Sequence, residues 1–107
     1  MSLIDTAIAH FSNREVRKLY VEEWETTLYA KNLTLDDKAR WLARANNDAT
    51  DYLVYVVILG TTDEAGDQVF GLEDKVALRK QVDPDIVARV ANFVLDIEED
   101  EDPEKNS

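Results

Sequence analysis

Few residues in this 107-residue chain have the type and spacing to do chemistry. His10 is the single histidine, and a lone imidazole near a helix end can act as a general base. No motif sets a serine, cysteine or aspartate beside it, so it reads as a structural or surface residue. Asp63, Glu64 and Asp67 cluster around Gly66 in the manner of a cation loop. An EF-hand loop needs oxygen ligands at its first, third and fifth positions and glycine at the sixth. Here Ala65 takes the third position and Gly66 the fourth, so the cluster reads as a plain turn. Phosphate-cradling, dinucleotide-binding, zinc-protease and nucleophile-elbow patterns are all missing. The sequence offers no catalyst, no cofactor site and no metal site, and the expectation is a protein that is not an enzyme.

What remains are large apolar side chains at positions that the elements must place. Trp24 lies between two strand-like stretches, Glu15 to Val21 and Thr26 to Leu33. In the second, Leu28 and Ala30 alternate with Thr27, Tyr29, Lys31 and Leu33, as in a sheet with one buried face. Such a hairpin needs helices to pack on. Ser2 to Phe11 spaces Leu3, Ala7, Ile8 and Phe11 as one short amphipathic helix. Thr34 followed by Asp37 forms a variant of the capping box, and Asp36 and Asp37 suit the positive end of a helix dipole. Leu35, Ala39, Leu42 and Ala45 then line a stripe with Trp41 beside it, up to the polar cluster Asn46-Asn47-Asp48.

Tyr52 to Leu59 is an apolar run too short for periodicity to decide between strand and helix. The helical residues before it, and Gly60 behind it as a candidate cap, favour a buried helix. A turn over Asp63 to Gly66 leads to an extended return at Gln68-Val69-Phe70. Leu72 to Val82 reads as a charged helix. Asp83-Pro84 is a strong start signal, and beyond it Ile86, Val90, Phe93 and Ile97 make the clearest amphipathic stripe, with Val87 and Val94 alongside. The expected architecture is α+β: a small N-terminal β-hairpin packed on a mainly helical domain of four to five helices, residues 1–97. Residues 98–107 read as a disordered acidic tail.

Composition limits the function classes. The net charge is −11, which disfavours nucleic-acid backbones and anionic membranes as partners. The excess is uneven: from Asp96 onward seven acids face one lysine, leaving −5 for the preceding residues. The absence of cysteine fits a reducing compartment. The longest apolar run, eight residues, falls far short of the ~20 that span a bilayer, and MSLIDTAIAHF lacks the flanks of a signal peptide.

The order of features in VRKLYVEEWETTLYAKNLT resembles the N-terminal half of the tail assembly chaperones of long, non-contractile-tailed bacteriophages: strand, Trp connection, second strand, Leu-Thr, charged helix start. The apolar segment Tyr52–Leu59 and the turn TTDEAGDQVF continue the likeness, which covers residues 14–97 in pattern. This chain departs from the family at Glu25-Thr26-Thr27, where a glycine turn is usual. The resemblance implies a protein of the host cytoplasm, absent from the mature virion, that coats the helical tape-measure protein and keeps it soluble. It also implies self-association, and a longer frameshift-extended form that recruits tail tube subunits. Glu104-Lys105-Asn106 is encodable by a slippery A-AAA-AAC heptamer, compatible with such a form. Partner contacts are expected from apolar residues surplus to the core: Trp24, Trp41, Val87 and Val94. The competing class is a small acidic adaptor that binds a basic partner.

Overall fold

The computed structural model describes residues 2–97, so the acidic tail expected at 98–107 lies outside the described residues. Helix α1 (Leu3–Ser12) is followed by strand β1 (Arg17–Val21), a 3-10 turn (Glu22–Trp24) and strand β2 (Thr26–Ala30). Helices α2 (Leu35–Arg44) and α3 (Ala49–Gly60) lead into a two-residue strand β3 (Thr61–Thr62). After a loop and a 3-10 turn (Leu72–Asp74) come α4 (Lys75–Lys80) and α5 (Pro84–Leu95). The described residues therefore form an α+β fold of five helices and an antiparallel sheet of order β1-β2-β3.

The hairpin closes without glycine. Glu25 takes the left-handed conformation, φ 51°, that a glycine would otherwise supply. Leu19 pairs with Leu28 across β1 and β2, and Val21, Leu28 and Ala30 are buried on the inner face. Glu23 in the connecting turn receives both terminal guanidinium nitrogens of Arg89 on α5, at 2.9 and 3.0 Å. Those hydrogen bonds hold the Glu23 carboxyl down at about 2. A carboxylate depressed in the folded state stabilises above its ordinary range and loses that contribution as pH falls towards 2. In Arg89→Ala, the Glu23 titration followed by carboxyl carbon-13 NMR should return to the ordinary carboxylate range.

The capping box at Thr34 is complete: Asp37 N donates to Thr34 Oγ1 at 3.0 Å, and Thr34 N donates to the Asp37 carboxylate at 3.1 Å. The face that α2 buries differs from the expected one. Trp41 and Ala45 point inward, while Leu35, Ala39 and Leu42 face solvent. Trp41 reaches into the space that Gly60 leaves free. Asn46 and Asn47, φ 54° and 61°, break the chain direction, and Asp48 caps α3 by accepting from Asp51 N at 2.9 Å.

The stretch 52–59 is helix, buried nearly all round from Val54 to Ile58, as befits a central helix. It packs on α5, α4 and α2, with the sheet closing the core. Gly60 is the last residue of α3 and has no positive φ, so it is not the left-handed cap expected. Its lack of a side chain lets α5 and Trp41 approach.

The turn at Asp63–Gly66 holds through Gly66, φ 93°, and Thr62 bridges Gln68 on the returning segment. The helix expected over 72–82 ends at Lys80; it opens with a 3-10 turn, capped by Asp74 accepting from Gly71 N at 2.8 Å, that continues directly into α4. Helix α5 starts at Pro84, with Asp83 capping Asp85 N at 2.9 Å. It buries Ile86, Val87, Val90, Ala91 and Val94, whereas Ile97 lies beyond its end and is exposed.

Arg17 ties the sheet to the end of α5. Its guanidinium donates to the carbonyls of Phe93 and Val94, the latter at 3.2 Å, and lies 5.3 Å from the Phe93 ring centre. Asp96 sits 3.8 Å away and also receives Arg14 at 3.0 Å. Burial lowers the Arg17 pKa and Asp96 pushes it back up.

Candidate partner-binding surfaces

The four residues expected to contact a partner occupy separate places. Trp24 is half-buried, edge-on to Phe70 with ring centres 6.4 Å apart. Trp41, Val87 and Val94 are 4%, 7% and 1% exposed. The premise that these three are surplus to the core is therefore corrected. The interior consumes them, since α5 turns Val87, Val90 and Val94 inward and leaves Ile97 outside.

Surplus apolar surface exists on other residues. On α1 no side chain is buried, and Leu3, Ile4 and Ile8 are 83%, 64% and 56% exposed. On α2 the stripe Leu35, Ala39 and Leu42 makes an outward ridge, with Leu35 87% exposed. Val69, Leu72 and Val76 add a smaller patch ahead of and within α4. The periodicity of α1 and α2 was visible in the sequence. What it did not carry was which side of α2 the body would cover.

Three of the grooves among the described residues bear on these positions. The largest, about 690 Å³, has the edge of Trp41 and Leu59 in its floor and Lys31, Arg40 and Arg44 around it. Arg40 is held by Asp36 and Asp37 at 2.7 and 2.8 Å, and Arg44 lies 5.6 Å from the Tyr55 ring centre. This groove is cationic in a chain whose net charge is −11. A second groove, about 340 Å³, runs between α3, α4 and α5 and is predominantly apolar. A third, polar and about 220 Å³, gathers Arg14, Arg17, Lys38 and Asp96. Trp41, Val87 and Val94 border a different groove each, so no single pocket unites them.

The two groups of chemical interest in the sequence stand apart from these grooves. His10 is exposed on the last turn of α1. Asp63 accepts from Asp67 N at 2.9 Å and closes its own turn. Among the described residues no group of three or more His, Cys, Asp or Glu side chains is placed to hold a metal ion, and no helix is long and apolar enough to cross a membrane. Apolar ridges and open grooves are the geometry of protein recognition.

No protein-family profile and no curated protein matches the sequence. A solved structure does match: that of the bacteriophage HK97 tail assembly chaperone, with a TM-score of 0.58 and 15% sequence identity. The alignment covers 92% of this chain and 99% of that one. The resemblance read from the order of sequence features thus has a counterpart in three dimensions: this chain folds like the tail assembly chaperone of bacteriophage HK97.

Proposed function

We propose that the protein is a phage tail assembly chaperone, a non-catalytic protein that binds the tape-measure protein and keeps it soluble until the tail tube encloses it. The observation that carries this reading is the outward apolar ridge of α2, which no other element of the described chain covers. A long helical partner with exposed apolar stripes would self-associate unless something else buried those stripes. Laying such a helix along Leu35, Ala39 and Leu42 buries apolar surface on both sides, in ridge-to-groove fashion. Many copies on one rod imply self-association, and the acidic balance keeps free copies apart until the partner gathers them. On this reading the protein works in the host cytoplasm and is left out of the virion. An extended form made by frameshifting would engage the tail tube protein.

The test is coexpression with the tape-measure protein of the same phage. Capture should persist in 1 M salt, where the Debye length is about 3 Å and exposed charge pairs are screened. Leu35→Asp combined with Leu42→Asp should lower capture at least tenfold, because both side chains are exposed and their replacement leaves the core intact. Release by salt with unchanged capture by the double variant would instead favour an acidic adaptor that recognises a basic partner.

A further inference from the structure

The charge of this chain is unevenly divided, and the two parts meet at the end of α5. Residues 1–97 hold seventeen acids and eleven bases, after which the sequence continues EEDED, five carboxylates in succession at 98–102. Neighbouring like charges repel one another and gain from any cation within reach.

Cations stand at that point. Arg14, Arg17, Lys38 and Asp96 line the polar cleft where β1, α2 and the end of α5 meet, so three positive side chains face one carboxylate. Asp96 is shared between Arg14 at 3.0 Å and Arg17 at 3.8 Å. Arg17 also covers the Phe93 and Val94 carbonyls, which offsets the negative end of the α5 dipole. Its Nε finds no acceptor among the described residues, so the cleft holds donor capacity that Asp96 leaves unused. Lys31 is the next cation along: its carbonyl accepts from the Arg17 guanidinium at 3.5 Å. Lys31 and Lys38 make no ion pair among the described residues.

We propose that the acidic run 98–102 folds back as a strap over this cleft, setting its carboxylates against Arg14, Lys38 and Lys31 of the same chain. Geometry favours it. Asp96 lines the cleft and Glu98 is two positions on, so the run starts at its mouth. One guanidinium reaches both Asp96 and the Lys31 carbonyl, so start and finish are a single arginine apart. Five extended residues span about 18 Å at most, ample for that width. The short tether holds the run at an effective concentration of about millimolar, ahead of any free acidic segment. An exposed ion pair shifts an equilibrium by about fivefold at best, so closure needs several together, which a run of five supplies. The strap acts as a gate: an acidic segment of another protein meets the cleft only after the strap has left. This contact rests on the charges of the chain and not on the chaperone reading.

The experiment uses the full chain with a spin label on Asn106→Cys, the sequence having no other cysteine. Amide intensities are compared before and after the label is reduced. At low salt the amides of residues 31–38 should be broadened, and 1 M salt, with a Debye length of about 3 Å, should restore them. Lys31→Gln with Lys38→Gln should remove most of the broadening, since two pairs at about fivefold each are lost. Replacing the five acids by their amides should remove it without touching the body. A label on an isotope-free copy mixed with an unlabelled isotope-enriched one should broaden nothing. Broadening in that mixture would overturn the proposal by showing a contact between copies. So would broadening that survives either set of substitutions, broadening centred on Lys75 to Lys80 instead, or none at low salt.

Discussion

Gly60→Val should lose at least about 4 kcal/mol of folding stability, and Gly60→Ala should already be destabilised. A Cβ at position 60 would run into Cγ1 of Val94 and lie 3.4 Å from Cη2 of Trp41. In an ordinary helix Gly→Ala gains about 1 kcal/mol through propensity. That gain is present here too, since Gly60 is helical and has no positive φ. Overpacking works against it at about 1–3 kcal/mol for a single added methyl, and more for valine. Whether the neighbours can yield decides the sign. Val94 is β-branched, stiff at χ1 and fully buried on α5. Trp41 is the side chain that anchors α2 to the core. Both are pinned, so the clash wins. Loss of about 1–2 kcal/mol for alanine and at least about 4 for valine is expected from chemical denaturation, against the 5–15 kcal/mol typical of a domain. An alanine variant more stable than the parent would show that α5 and α2 can separate freely at this point.

Arg17→Met should cost about 2–4 kcal/mol, the second largest effect. The methionine keeps the aliphatic packing and removes the guanidinium alone. The carbonyl of Val94 then loses the Arg17 donor at a partly buried helix end and that of Phe93 keeps only Asp96 N at 3.1 Å, at about 1–3 kcal/mol for a group left unsatisfied and unreached by water. The stacking over Phe93 and the approach to Asp96 go as well. Part of the loss is recovered because the guanidinium is no longer desolvated, which sets the upper bound. At about 4–8 °C per kcal/mol for a chain of this size, the melting temperature should fall by about 8–32 °C. Arg17→Lys should rescue little, because a single ammonium cannot span two carbonyls as the planar fork does. Full rescue by lysine would reduce the role of Arg17 to plain charge.

These two residues also mark the limit of what the sequence discloses. Thr34 with Asp37, Asp48 before α3 and Asp83-Pro84 before α5 are local hydrogen-bonding devices, and a sequence shows them directly. The helix at 49–60 was recoverable from its neighbours. Trp41 and Leu42 were not separable in the same way. Two stripes of equal period run along α2, and the one that is buried is chosen by the space at Gly60, which belongs to another helix. Arg17 looks like any strand arginine until α5, more than seventy residues later, presents its carbonyls. The two-residue strand β3 is too short to leave a pattern. The candidate surface followed the same rule: an excess of apolar residues was legible, but Trp41, Val87 and Val94 are buried and not part of that excess, because helix rotation is a tertiary property. The exposed faces of α1 and α2 carry that excess instead.

Sheathing a helical partner is most directly tested by counting copies. Complexes of this protein with a series of shortened tape-measure proteins, purified intact, can be weighed by native mass spectrometry. The number of bound copies should fall in proportion to the length removed, and Leu35→Asp with Leu42→Asp should strip the rod bare. A fixed one-to-one complex that ignores rod length, or no complex at all with any of them, would contradict the account.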